Sequence, residues 1–135
     1  MNSEVGGMSA FEIEGFDHVA IAVTDVAASR DWYVRVLGLK RRFEEDWGDV
    51  PSVICAGGAC IALFPVEGEP KPAPERDSLI MRHFAWRVDR ANFVRAQQRF
   101  RELGIEFESA DHGIAHSVYI SDPDGHRIEI TTYGV

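Results

Sequence analysis

His18, His83 and Glu129 are the side chains of this sequence best suited to hold a metal ion. Each lies in a run that reads as a strand, where alternate residues face opposite sides. His18 shares its side with Ala20 and Ala22, opposite Val19, Ile21 and Val23. His83 shares its side with Ala85 and Arg87, opposite Phe84, Trp86 and Val88. Glu129 shares its side with Arg127 and Thr131, opposite Ile128 and Ile130. The bulky faces suit packing on helices, while the small and polar faces suit the lining of a cavity. Two imidazoles and a carboxylate are a ligand set for a divalent first-row metal that leaves positions open for water or substrate. The alternative is that each histidine is an internally satisfied strand-end residue and Glu129 pairs with Arg127 or Arg87. Ligands so distant in sequence form no local motif, and their spacing leaves both readings open.

The elements that must position these residues follow from periodicity. FDHVAIAV (16–23) reads as a strand, and Thr24 or Asp25 can cap a helix carrying Val26, Ser29, Tyr33 and Val36 on one stripe, ended by Gly38. LKRRFEE, VPSVICA and ACIALF follow as strands, the last two hinged at Gly57-Gly58. Residues 65–79 hold four of the six prolines and read as a solvated linker. The pattern then restarts. MRHFAWRV (81–88) is a strand, and Asp89 caps a helix bearing Phe93, Ala96, Phe100 and Leu103. IEFES, HSVYIS and HRIEITT complete the second half. Residues 1–14 show no periodicity and read as a flexible leader.

The halves align in detail: DHVAIAV with RHFAWRV, LGL (37–39) with LGI (103–105), and CIALF (60–64) with RIEIT (127–131). Ala62 thereby occupies the place of Glu129. The chain is a duplication, with module 1 at 15–64 and module 2 at 80–133 of a single domain, 15–135. In the turn SDPDG, Pro123 sets φ and Gly125 tolerates positive φ, aligning the two flanking strands.

The sequence has 135 residues and a formal charge of −8, which argues against a nucleic-acid or anionic-membrane partner. No apolar run is long enough to span a bilayer. No signal peptide is evident, and a cytoplasmic location is expected. Cys55 and Cys60 face each other across the Gly57-Gly58 hairpin, where a disulfide can form, and two reduced buried thiols are the expectation for the cytosol.

FDHVAIAVTDVAASRDWYVRVLGL, RHFAWRV and SVYISDPDGHRIEI together resemble the vicinal oxygen chelate superfamily, also called the glyoxalase/bleomycin resistance/dioxygenase family. The resemblance covers residues 15–133. It implies an α+β fold of two βαβββ modules whose curved mixed sheets enclose a metal cleft, with His18, His83 and Glu129 as ligands. It implies a divalent metal, Fe2+ or Mn2+ before Zn2+ or Ni2+, a small-molecule substrate and a homodimer. Glyoxalase-type isomerases place a fourth ligand where Ala62 stands, which weighs against that reaction. Extradiol dioxygenases and fosfomycin-modifying enzymes carry a tyrosine ten residues before the glutamate, as Tyr119 is here. No Lys or Arg follows Glu129, which weighs against the fosfomycin enzymes and their anionic substrate. Extradiol-type chemistry on a catechol-like substrate is the expected activity, with isomerase, thiol-transfer or metal-free drug binding as alternatives. His112 or His116 would be the acid–base partner, although His116, three residues before Tyr119, faces the other way in a regular strand. His126 is expected to be exposed.

Overall fold

The computed structural model describes residues 10–69, 71–72 and 79–135. Most of the expected leader, and positions 70 and 73–78 of the expected linker, lie outside the described residues. Strand β1 (His18–Val23) leads into helix α1 (Val26–Leu37). Asp25 accepts from the Ala28 N–H at its start, and Gly38 closes it at φ 69°. Then come β2 (Lys40–Arg42), a single turn α2 (Glu44–Trp47), β3 (Ser52–Ala56) and β4 (Ala59–Pro65). The second module repeats the plan with β5 (Phe84–Arg87), α3 (Arg90–Glu102), β6 (Glu108–Asp111), β7 (His116–Ser121) and β8 (Arg127–Thr132).

Each module forms a four-stranded sheet, ordered β1-β4-β3-β2 and β5-β8-β7-β6. The first and last strands of each module pair in parallel and the rest antiparallel. This is the expected α+β pair of βαβββ modules. The registers repeat the duplication: Ala62 stands opposite Ala20 as Glu129 stands opposite Ala85.

The strands are shorter than the sequence suggests in two places. LKRRFEE is extended only over Lys40–Arg42, because Phe43 turns left-handed and the acidic run after it coils into α2. IEFES pairs only from Glu108 onward.

One apolar core joins the modules. Ile21, Ile61 and Leu63 meet Val118, Ile128 and Ile130, with Tyr33 from α1 and Phe100 from α3. The bulky strand faces therefore lie inward against the helices, as alternation predicts. Polar links cross the same junction. Tyr33 donates to Asp122 at 2.6 Å, Thr24 donates through its hydroxyl to Asp124 at 2.6 Å, and His126 Nε2 lies 2.9 Å from the Ala22 carbonyl. The expectation that His126 is simply exposed is thus corrected: the SDPDG turn docks on the end of β1, and its histidine is half-buried there.

The expectation of reduced thiols is overturned as well. Cys55 and Cys60 form a disulfide. They are direct cross-strand partners beside the hairpin, with Cα atoms 4.1 Å apart, so the register alone brings the sulfurs together. No helix among the described residues is long and apolar enough to cross a membrane.

Candidate metal centre and proton relay

Glu129 is 8% exposed in the middle of β8, where an unpaired carboxylate is costly. Its partners come from three directions. His83, directly before β5, places Nε2 2.9 Å from Glu129 Oε1. Ser117 donates to Oε2 at 2.5 Å and shares a 2.9 Å hydrogen bond with Thr131. His112 Nε2 lies 3.9 Å from Oε2. The alternative partners are engaged elsewhere: Arg127 pairs with Glu108 at 2.9 Å, and Arg87 lies over the Tyr133 ring.

Tyr119 is the cross-strand neighbour of Glu129 on β7. Its hydroxyl is 3.0 Å from His112 Nε2, and its ring meets that of His83 edge-on at 5.5 Å. Burial first, and the charge of Glu129 next, push the Tyr119 hydroxyl above its ordinary range, while Arg127 opposes the shift. The phenol is therefore held protonated, as a donor. His112 is carried by a tight turn after β6, in which its N–H reaches the Ala115 carbonyl and Gly113 adopts φ 82°. The turn aims the imidazole back over the sheet.

Of the residues singled out from sequence, the structure gathers His83, Glu129, Tyr119 and His112. His116 lies on the other face of β7, its Nδ1 3.2 Å from Arg90 and its Nε2 3.6 Å from Asp111. His18 lies on the open face of the first sheet, its Nδ1 held 2.7 Å from Asp17, and lines a different cavity from His83. Among the described residues, no three His, Cys, Asp or Glu side chains gather within one chain in a metal-binding group. Ser117 joins the cluster as a further member. Strand alternation puts it on the same side as Tyr119, and that was the signal available.

The donors present fit a first-row metal. His83 and Glu129, 2.9 Å apart, set an imidazole nitrogen beside a carboxylate oxygen, the donor types such an ion takes. Ser117 would orient the carboxylate, and the Asp17 bond to Nδ1 leaves the Nε2 of His18 free to ligate.

The sequence model of the Glyoxalase/Bleomycin resistance protein/Dioxygenase superfamily matches residues 15–130. The chain belongs to this superfamily. Among its superfamily relatives, the glutathione transferase FosA of Serratia marcescens is 25% identical over 118 residues, 87% of this chain and 80% of that protein. The metallothiol transferase FosB of Staphylococcus saprophyticus is 27% identical over 124 residues, 89% of this chain and 78% of that one. The catechol-2,3-dioxygenase of Bacillus subtilis is 28% identical over 116 residues, 84% of this chain but 39% of the larger relative. A solved glyoxalase/dioxygenase from Nostoc punctiforme shares the fold with a TM-score of 0.75 at 24% identity, covering 93% of this chain and 94% of that one.

Proposed function

We propose that this superfamily member is a divalent-metal enzyme acting on a small substrate that chelates through two adjacent oxygens, with extradiol-dioxygenase-type chemistry on a catechol-like ring as the reaction. The observation that carries the reading is the His112–Tyr119 pair, 3.0 Å apart and beside the His83–Glu129 pair. His18, His83 and Glu129 would hold the ion, Fe2+ or Mn2+ before Zn2+ or Ni2+. The bound ion would supply a charge that lowers the pKa of substrate hydroxyls, and open positions for two oxygens. His112 would accept the first substrate proton, its Nε2 lying 3.0 Å from the Tyr119 hydroxyl beside the His83–Glu129 pair. Tyr119, kept protonated beside Glu129, would donate a hydrogen bond to negative charge developing on a substrate oxygen. The 3.0 Å contact between Tyr119 and His112 would hold the two side by side for these roles.

The three ligands would converge only in a dimer. His18 and the His83–Glu129 pair lie on separate sheets, His18 half-exposed, His83 partly exposed and Glu129 buried. A two-fold pairing that sets module 1 of one copy against module 2 of the other would build two identical sites. Metal analysis of protein purified without chelators, followed by oxygen uptake on a catechol panel with Fe-loaded protein, tests the reading. Absence of uptake across the panel refutes the dioxygenase assignment.

The second reading is thiol transfer. It is favoured by the FosA and FosB matches, which cover most of those proteins, whereas the dioxygenase match covers under half of its partner. Adduct formation between fosfomycin and glutathione, or another small thiol, in the presence of Mn2+ would establish it in place of the first.

A further inference from the structure

The open face of the first sheet holds a cavity of about 540 Å³ that meets the proposed chemistry only through His18. Val53, Cys60 and Ala62 form its floor, and Phe43, Trp47 and Phe64 its walls. Three observations indicate a ligand there.

Phe43 has φ 67°, a left-handed conformation unusual for a bulky side chain. Such strain persists where the surroundings enforce it, and it concentrates at binding and catalytic sites. The aromatic walls are also half-open to solvent: Trp47 is 54% exposed and Phe64 41%, and the Phe43 and Trp47 rings lie 5.0 Å apart. Apolar surface grouped around a cavity marks a recognition site rather than scattered exposure. Finally, the two arginines of β2 differ. Arg41 is engaged by Asp49 at 3.0 Å and Glu44 at 3.7 Å. Arg42, on the cavity wall, makes a long 3.5 Å bond to the Gly57 carbonyl and lies over Phe43, and among the described residues it has no carboxylate partner.

We propose that this cavity binds the organic part of the substrate, and that the substrate is an aromatic ring bearing an anionic group. The ring lies against Phe43, Trp47 and Phe64, and the anion pairs with Arg42. The register sets His18 and Arg42 at opposite ends of the cavity. His18, Cys60, Cys55 and Lys40 form one cross-strand row, and Ala20, Ala62, Val53 and Arg42 the next on the same face. His18 and Arg42 are thus three strand spacings and one row apart, about 16 Å between Cα atoms. Asp17, the other charged cavity residue, is bonded to His18 at the far end. The proposal rests on the catechol reading only for which end of the ring faces His18.

The test is titration of the full chain with 3,4-dihydroxybenzoate and with the neutral 3,4-dihydroxybenzamide, followed by tryptophan fluorescence and calorimetry, on metal-free and Fe-loaded protein. The acid is expected to bind about tenfold tighter than the amide, as befits a charge-assisted bond. Arg42→Gln should reduce the acid to the level of the amide without changing metal content, and Arg42→Lys should retain part of the preference. Trp47→Ala should weaken both ligands alike. Near-UV circular dichroism checks the fold of each variant. Equal binding of acid and amide, no binding of either, or a preference that survives Arg42→Gln overturns the proposal. Protein that binds no metal yet still discriminates acid from amide would refute the metal reading and leave this one standing.

Discussion

A mixing experiment tests the shared site directly. His18→Ala removes the ligand contributed by module 1, and Glu129→Gln one of those contributed by module 2. Each variant alone loses both sites of a dimer, with a fall in metal affinity beyond the roughly 10–100-fold typical of changes around a ligand. Co-expressed in equal amounts with distinct tags, the two variants assemble at random, and about half of the dimers are mixed. In a mixed dimer one site carries both substitutions and the other carries neither. The mixture should therefore hold about one quarter of the wild-type metal per chain, and the purified mixed dimer about one half. His83 and Glu129 provide the control, because the structure places them 2.9 Å apart in one chain. His83→Ala co-expressed with Glu129→Gln leaves a defect in every module 2 and should restore no metal. The measurement is metal content by mass spectrometry after isolating mixed dimers on their two tags. No recovery in the His18/Glu129 mixture would refute the cross-chain site. Recovery in the His83/Glu129 mixture would refute the reasoning that joins those two residues in one half-site.

Other outcomes follow from the same geometry. Tyr119→Phe should lower kcat by roughly 10²–10⁴-fold in steady-state assays with little change in metal content, since it removes a proton donor and no ligand. Ser117→Ala should weaken metal binding by about 10–100-fold in chelator competition, because Glu129 loses the donor on Oε2. Tyr33→Phe removes the buried donor to Asp122 and should cost about 1–3 kcal/mol in urea unfolding. Burial and the Asp122 charge raise the Tyr33 hydroxyl above its ordinary 10.0, so its stabilising contribution is complete below pH 10.0 and is lost as pH rises beyond it. Wild-type stability should accordingly fall more steeply above pH 10.0 than that of Tyr33→Phe; parallel curves would contradict this.

The architecture was legible because period and punctuation act locally. Asp25 and Asp89 each bond to the N–H three residues on, and Gly38 takes the left-handed cap position. The duplication, visible as His18 aligned with His83 and Ala62 with Glu129, reappears as matched register in the two sheets. Strand alternation placed Tyr119 with Glu129 and turned His116 away. The departures have long-range causes. Phe43 breaks β2 where the cavity wall turns, and His126 is fixed by a carbonyl more than a hundred residues earlier in the chain. Cys55 and Cys60 face each other as the hairpin predicts, but cysteine composition speaks only to compartment, whereas the bond follows from their cross-strand opposition.

From the residues alone, the donor types, the faces that carry them and the paired modules were determined, since side-chain chemistry and a two-residue alternation need no distant partner. Only the tertiary structure decided which donors meet. It brought His83, Glu129, Tyr119 and His112 together because β5, β7 and β8 share one sheet, and it left His18 on the other. Which polar faces converge depends on how two sheets dock around a common core, and that is set by packing between elements far apart in sequence.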